Sequence, residues 1–200
     1  NIIFFSTPFD EPSADFLNDL GVPAFKIGSG ELTHHSLLRH TAKKGKPMII
    51  STGMATIGEV ETAIRTAQYA GTQEMILLHC VSNYPADPAD VNLRAMRTMA
   101  RAFGLPVGYS DHTDGLEVPL AAVALGAAVI EKHVTLDKSL PGPDHLASLE
   151  PDELTRMISG IRIVEESLGH GRKEPAASEA NTSAVARKSL VARRDLAAGT

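Results

Sequence analysis

The chain reads Met75-Ile76-Leu77-Leu78-His79-Cys80-Val81-Ser82 near its middle, and this change from apolar to polar residues decides the fold. The same change occurs six times along the sequence. Continuous apolar runs of this length are typical of strands buried on both faces, as in a parallel sheet covered by helices. The other five runs are residues 2–5, 24–25, 48–50, 107–109 and 127–130.

Helix-compatible stretches separate these runs at residues 57–70, 93–103 and 116–125, and a glycine lies at or just beyond the C-terminus of each. The order is therefore β-α-β-α. In (β/α)8 TIM barrels, functional residues gather in the loops after the C-terminal ends of the strands. Because all six runs end in polar clusters, the sequence predicts a TIM barrel. An open doubly wound sheet is the alternative, which usually concentrates its site at one switch point.

The length predicts an incomplete barrel. A complete one takes about 250 residues and eight strands, whereas this chain of 200 residues holds six predicted strands. We expect a fragment with six of eight βα units that lacks the first two. The predicted organisation is a barrel domain at residues 1–172, a linker at 173–188, and the start of a second domain at 189–200, where residues 189–192 are predicted as a strand. The stretch at 172–182 is polar and helix-poor, as expected of a linker.

Composition excludes several classes of function. A net charge of −5 and an aromatic content of 4% argue against nucleic-acid binding, which needs a basic face or stacking platforms. The single cysteine, Cys80, cannot form an internal disulfide. No apolar stretch approaches the roughly 20 residues of a membrane span, and no signal peptide is visible. We expect a cytoplasmic enzyme without a membrane or nucleic-acid partner.

Two histidines carry the clearest chemical signal. His112 and His133 follow consecutive predicted strands. Neighbouring strands lie about 4.8 Å apart, close enough for two imidazoles on one face to share a cation. The alternative is a pair of hydrogen-bonded histidines at the rim of the barrel.

A second signal is a set of groups suited to an anion. Lys26 precedes Gly28-Ser29-Gly30, where glycines let backbone N–H groups approach a ligand. Ser51 and Ser110 add hydroxyls at the ends of two further strands. Such turns also serve plain strand-to-helix connections, but three strand ends together favour a phosphate or carboxylate site.

Ordered motifs across nearly the whole chain resemble the sialic acid synthase family, which includes legionaminic and pseudaminic acid synthases and spore coat polysaccharide synthase-like proteins. The motifs are residues 5–9, 26–31, 78–80, 84–85, 110–113, 131–133 and 141–144. The tail at residues 187–192 is similar to the entry of the antifreeze-protein-like (SAF) domain that follows the barrel in this family.

The resemblance implies an enzyme that condenses phosphoenolpyruvate with an N-acetylated amino sugar, forms a C–C bond and releases phosphate. His112 and His133 would bind Mn²⁺ or Mg²⁺ and polarise the sugar's aldehyde. Glu31 would lie near the reacting carbons, and Tyr84 and Asp144 would contact the sugar. Six residues would hold phosphoenolpyruvate: Thr7, Lys26, Ser29, Ser51, Ser82 and Ser110.

The resemblance further implies a homodimer in the full-length protein and an isolated fragment without activity. Ser82 stands where some members have Asn. The amino sugar stays open between N-acetylmannosamine and a 2,4-diacetamido-6-deoxy sugar. Two other functions remain as alternatives: a Schiff-base aldolase that uses Lys26, and a non-catalytic module that binds sugar acids. Metal dependence distinguishes these functions.

Overall fold

The computed structural model describes residues 2–199, within which five strands form one parallel sheet in the order β1-β2-β3-β4-β5. A doubly wound sheet reverses its strand order at a switch point. The order here never reverses, which is the arrangement of a barrel wall. The strands are β1 (Phe25–Ile27), β2 (Met48–Ser51), β3 (Met75–Cys80), β4 (Val107–Asp111) and β5 (Ile130–Lys132).

Helices connect the strands as the sequence predicts. The stretch at 57–70 forms a helix with these same bounds, which begins in a capping box between Thr56 and Glu59 and ends at Gly71, where φ is 129°. The helices are α1 (Glu11–Asp19), α2 (His35–Ala42), α3 (Ile57–Ala70), α4 (Arg94–Phe103), α5 (Glu117–Ala124), α6 (Pro151–Leu168) and α7 (Ala180–Ala186). Short 3₁₀ helices lie at Ser29–Glu31, Pro88–Asp90, His145–Ala147 and Ala177–Glu179.

Alternation along the strands separates an apolar core from a polar face. One set of strand side chains packs with the helices in the core: Phe25, Ile27, Met48, Ile50, Met75, Leu77, Val107 and Tyr109. The alternate residues Lys26, Ser51, Ser110 and Glu131 point to the other face. The strands therefore hold the helices on one side and build the site on the other.

The sheet curls around that polar face. The Nζ atom of Lys26 on β1 lies 3.5 Å from Oε2 of Glu131 on β5. β1 and β5 are separated by four strand spacings, so in a flat sheet their backbones would be about 19 Å apart. Since neither side chain can reach that far, the five strands form a curled half-barrel.

The prediction of six strands is wrong at the first run. Residues 2–5 have no regular secondary structure, and Ile2 is 98% and Phe5 38% exposed. Just after this segment, the carbonyl of Ser6 accepts the N–H of Lys26 on β1 at 3.3 Å. A single hydrogen bond does not form a ladder, so the apolar run is not a strand.

The C-terminal predictions also need correction. A first compact unit ends at Leu168, and a second begins at Gly169. Within the second, a 3₁₀ helix and the start of α7 fall in residues 172–182, so the expectation that this stretch is helix-poor is wrong, and its role as a linker stays a prediction. Residues 189–192 do not form the predicted strand, and Leu190 is fully exposed. Among residues 2–199, no strand pairs with this short apolar run. The assignment of residues 189–200 to a further domain stays a prediction.

No helix in the described part of the chain is long and apolar enough to cross a membrane.

Candidate active site

A cavity of about 520 Å³ lies at the carboxyl ends of the five strands. This is the edge where TIM barrels place their functional residues. Nine of the eleven residues proposed from the sequence line it: Thr7, Lys26, Ser29, Ser51, Ser82, Tyr84, Ser110, His112 and His133.

Lys26 is the central cation of the cavity. Its ammonium group donates to Oγ of Ser51 at 2.7 Å and to the carbonyl of Ile27 at 3.2 Å, and Lys26 as a whole is only 8% exposed. It also faces the carboxylate of Glu131 at 3.5 Å. A buried ammonium with hydroxyl partners suits an incoming anion.

Hydroxyl and thiol groups surround Gly53 on the loop after β2. The N–H of Gly53 donates to Oγ of Ser29 at 3.0 Å, and the same oxygen lies 3.1 Å from Sγ of Cys80. A Cβ atom placed on Gly53 would lie 2.2 Å from Oγ of Ser82 and 2.8 Å from Oγ of Ser29. The glycine therefore lets polar groups from three loops converge on one point.

The two histidines lie side by side, as strand register requires. Ser110 pairs with Glu131 in the ladder of β4 and β5, so the positions two residues further along face each other. The ring centroids of His112 and His133 are 5.4 Å apart. His112 is 4% exposed, and desolvation by burial lowers its pKa, which favours the neutral imidazole.

Tyr84 packs against both imidazoles. Its ring centroid lies 4.1 Å from that of His112 and, in an edge-on arrangement, 5.6 Å from that of His133. Burial raises the pKa of Tyr84, so the phenol stays protonated at neutral pH. Tyr84 thus presents a neutral hydroxyl beside the histidine pair.

Two of the proposed residues lie outside the cavity lining. Glu31 belongs to the 3₁₀ helix at Ser29–Glu31, and its carboxylate contacts Nδ1 of His34 at 3.2 Å. Asp144 stands near the site's edge, with Oδ2 3.8 Å from Nδ1 of His133. The structure therefore brings Asp144 near the histidines and directs Glu31 to a different partner.

Glu131 is a cavity residue to which the sequence assigned no role. It accepts a hydrogen bond from Oγ of Ser110 at 2.6 Å and pairs with Lys26. Alternation could have found it, since Glu131 shares a strand face with His133. It places a negative charge beside Lys26. We call the residues proposed to bind an anion the anion cluster: Thr7, Lys26, Ser29, Ser51, Ser82 and Ser110.

The histidine pair fits a divalent cation by its hydrogen bonding. Nδ1 of His112 lies 2.7 Å from the carbonyl oxygen of Val81 and donates its proton there. This fixes the tautomer and leaves Nε2 as a lone-pair donor, which is the usual arrangement of a metal-ligating histidine. Among residues 2–199, no group of three or more His, Cys, Asp or Glu side chains is arranged to hold a metal. The ligands that this part of the chain would offer are the two imidazoles.

Strand order and the position of the cavity define a barrel-type α/β protein with its polar site at the carboxyl end of the sheet. Residues 1–173 match the NeuB family, and the chain belongs to this family.

Relatives of known name support the assignment. The chain is 54% identical over 202 residues to the N,N'-diacetyllegionaminic acid synthase of Legionella pneumophila, covering 99% of this chain and 57% of that protein. It is 40% identical over 200 residues to the N-acetylneuraminate-9-phosphate synthase of Homo sapiens, covering 100% of this chain and 55% of that protein. The crystal structure of N-acetylneuraminic acid synthetase from Leptospira borgpetersenii in complex with citrate has a TM-score of 0.84 and 43% identity, covering 91% of this chain and 64% of that one. The chain thus spans less than two thirds of the length of these relatives.

Proposed function

We propose that this chain carries the catalytic barrel of an enzyme that condenses phosphoenolpyruvate with an N-acetylated amino sugar to a nonulosonic acid. The observation that carries the proposal is the meeting of a buried ammonium, several hydroxyls and two imidazoles in one cavity of a NeuB-family chain. The reaction joins carbon 3 of phosphoenolpyruvate to the aldehyde carbon of the sugar. Water adds at carbon 2, and phosphate leaves as the C–O bond breaks.

The anion cluster would hold phosphoenolpyruvate. Lys26 offers the positive charge, and its contact with Ser51 fixes the direction of the ammonium group. Ser29 and Ser82 meet at Gly53, and Thr7 and Ser110 also line the cavity. The residues come from different strand ends, so one molecule with both phosphate and carboxylate groups could contact several of them.

The histidine side of the cavity would receive the sugar. A divalent cation, which we propose to be Mn²⁺ or Mg²⁺, held by His112 and His133 would supply Lewis-acid polarisation of the aldehyde. Tyr84 offers its hydroxyl beside the two rings, and Asp144 stands at the edge of the site. A sugar bound there would lie next to the anion cluster, as bond formation at carbon 3 requires.

The Schiff-base alternative has no support in the surroundings of Lys26. An amine that attacks a carbonyl must be neutral, whereas Lys26 donates to two oxygens and faces a carboxylate. These are the contacts of an ammonium ion. A Lys26 that binds an anion accounts for the same residue together with the histidine pair.

The remaining features of the whole protein belong to the same proposal. By resemblance to the family, we expect a cytoplasmic homodimer whose barrel is followed by an SAF domain. Relatives of this chain include both legionaminic and neuraminic types of synthase. An assay with each amino sugar is therefore needed to identify the substrate.

The test is turnover by the full-length protein with phosphoenolpyruvate and either N-acetylmannosamine or a 2,4-diacetamido-6-deoxy sugar. Phosphate release should require the aldose, stop with EDTA and return with Mn²⁺. His112→Ala and His133→Ala should each abolish turnover, because a two-histidine site left with one loses affinity and geometry. Turnover undiminished by EDTA and by both substitutions would contradict the proposed mechanism. A substrate adduct trapped on Lys26 by borohydride would support the aldolase instead.

A further inference from the structure

A buried ion pair lies directly behind the two histidines. The ammonium group of Lys132 on β5 contacts Oδ2 of Asp111 on β4 at 2.7 Å, and the two side chains are 2% and 0% exposed. Each belongs to the residue just before a histidine in the sequence, Asp111 before His112 and Lys132 before His133.

Thr113 forms hydrogen bonds with both members of this ion pair. Oδ1 of Asp111 accepts the backbone N–H of Thr113 at 3.0 Å and its hydroxyl at 2.7 Å. The ammonium group of Lys132 also donates to the carbonyl oxygen of Thr113. The residues on both sides of His112 are therefore bonded to Lys132, the last residue of β5, which immediately precedes His133.

Stability alone is a weak reason for such a pair. Removing two charges from water costs free energy that their attraction only partly offsets, and apolar residues of similar size often serve as well. Fixing one arrangement of neighbouring elements is the better supported role of buried polar groups. Here the neighbouring elements are the two strand ends that present the histidines.

We propose that Asp111, Lys132 and Thr113 are positioning residues that set the spacing and orientation of His112 and His133. The inference rests on the proposed function, because it takes the histidines to be metal ligands. It goes further in assigning part of the metal affinity to three residues that are not proposed as metal ligands, of which Lys132 also lines the cavity. Outer residues that orient ligands typically change metal affinity or activity by about 10- to 100-fold when substituted.

The test measures Mn²⁺ binding by electron paramagnetic resonance in the full-length protein, at a temperature where circular dichroism shows each variant folded. Thr113→Val removes the hydroxyl but keeps the ion pair, and it should weaken Mn²⁺ binding. Thr113→Ser keeps the hydroxyl and should bind as wild type does. The double variant Asp111→Asn/Lys132→Met leaves no unpaired charge and should weaken binding by about 10- to 100-fold.

Thr72→Val is the matched control. Thr72 is buried, and its hydroxyl donates to the carbonyl of Ala42 at 3.0 Å, outside the cavity lining. It should lower the melting temperature without changing Mn²⁺ affinity, which separates general destabilisation from positioning.

The outcomes distinguish the inference from the proposed function. If His112→Ala abolishes Mn²⁺ binding while folded Thr113→Val or the folded double variant binds as tightly as wild type, the positioning role is overturned and the metal site stands. If wild type binds no Mn²⁺ at these histidines, the metal site and the inference fail together. Mn²⁺ affinity that equals the wild-type value in Thr113→Ser and is lower in Thr113→Val supports the inference.

Discussion

The ammonium group of Lys26 faces the carboxylate of Glu131 when no substrate is bound. This contact affects how strongly a substitution of Lys26 should change the KM for phosphoenolpyruvate. Lys26→Met removes the positive charge and leaves Glu131 opposite the incoming anion. Charge-assisted hydrogen bonds contribute about 1.5–3 kcal/mol, so we expect the KM for phosphoenolpyruvate to rise about 10-fold or more. The KM for the amino sugar should change much less. Steady-state kinetics with each substrate varied in turn provide the measurement.

A second substitution separates lost attraction from new repulsion. In Lys26→Met/Glu131→Gln the uncompensated carboxylate is gone, so part of the affinity for phosphoenolpyruvate should return. An unchanged KM for phosphoenolpyruvate in Lys26→Met itself would show that this lysine has a structural role only.

Gly53 is a residue of the cavity where the lack of a side chain matters. In Gly53→Ala, the Cβ would lie 2.2 Å from Oγ of Ser82 and 2.9 Å from Sγ of Cys80, so these groups must shift. We expect a higher KM for phosphoenolpyruvate, measured by the same assay. Gly58→Ala is the control, since its Cβ would contact nothing within 4 Å inside α3. That change should raise stability by about 0.5–1 kcal/mol with unaltered kinetics. Equal KM values in the two variants would contradict a crowded site at Gly53.

Sequence reasoning at the residue scale worked where strand alternation governs position. The spacing of His112 and His133 after consecutive strands predicted that they would lie together, and their rings are 5.4 Å apart. Where a loop sets the direction of a side chain, the sequence says less, and the role of Glu31 stays a prediction. Glu31 follows the Gly-Ser-Gly turn, but its 3₁₀ helix directs the carboxylate to His34. The partnership of Lys26 with Glu131 depends on sheet curvature, which no local pattern encodes.

At the scale of elements, β4 contains a polar group that packing leaves without a partner. Within residues 2–199, the hydroxyl of the fully buried Tyr109 meets no acceptor at good hydrogen-bond geometry. Burial, and then the charge and the side chain of Asp111 beside it, raise the pKa of Tyr109, so the phenol stays neutral. Since an unpaired buried hydroxyl costs free energy, Tyr109→Phe should stabilise the protein by about 1 kcal/mol.

Chemical denaturation monitored by circular dichroism checks this prediction. Tyr69→Phe is the control, because Tyr69 is 86% exposed and its change should have almost no effect on stability. A Tyr109→Phe variant that is clearly less stable than wild type would show that the hydroxyl has a partner in solution.

The apolar runs in the sequence correctly predicted strands only where the run pairs with other strands in the sheet. Met48–Ser51 and Met75–Cys80 pair on both sides in the sheet, and the sequence located both. Residues 2–5 and 189–192 are also largely apolar, but neither run pairs in a ladder among residues 2–199, and they are not strands here. Composition measures the tendency to form a strand, whereas pairing is a property of the whole fold.

At the scale of the molecule, curvature turns five strand ends into one site. The groups that converge on the cavity lie up to 126 residues apart, from Thr7 to His133. Because each strand contributes through its carboxyl end, loss of the curl would separate Lys26 from Glu131 and open the cavity.

The unpaired rims of the half-barrel lead to the last prediction. Among the described residues, β1 and β5 each form a ladder on one side only, and Ile2, Ile3 and Phe4 are 98%, 73% and 62% exposed. Unpaired strand edges and exposed apolar segments promote association. Residues 1–200 expressed alone should therefore form dimers or larger species in size-exclusion chromatography with light scattering, and should show no synthase turnover. Replacing Ile3 and Phe4 by Lys should reduce association if the apolar segment drives it, and leave it unchanged if the strand edges do. A monodisperse monomer with a cooperative melt would contradict the prediction, because it would require the edges to be protected in solution.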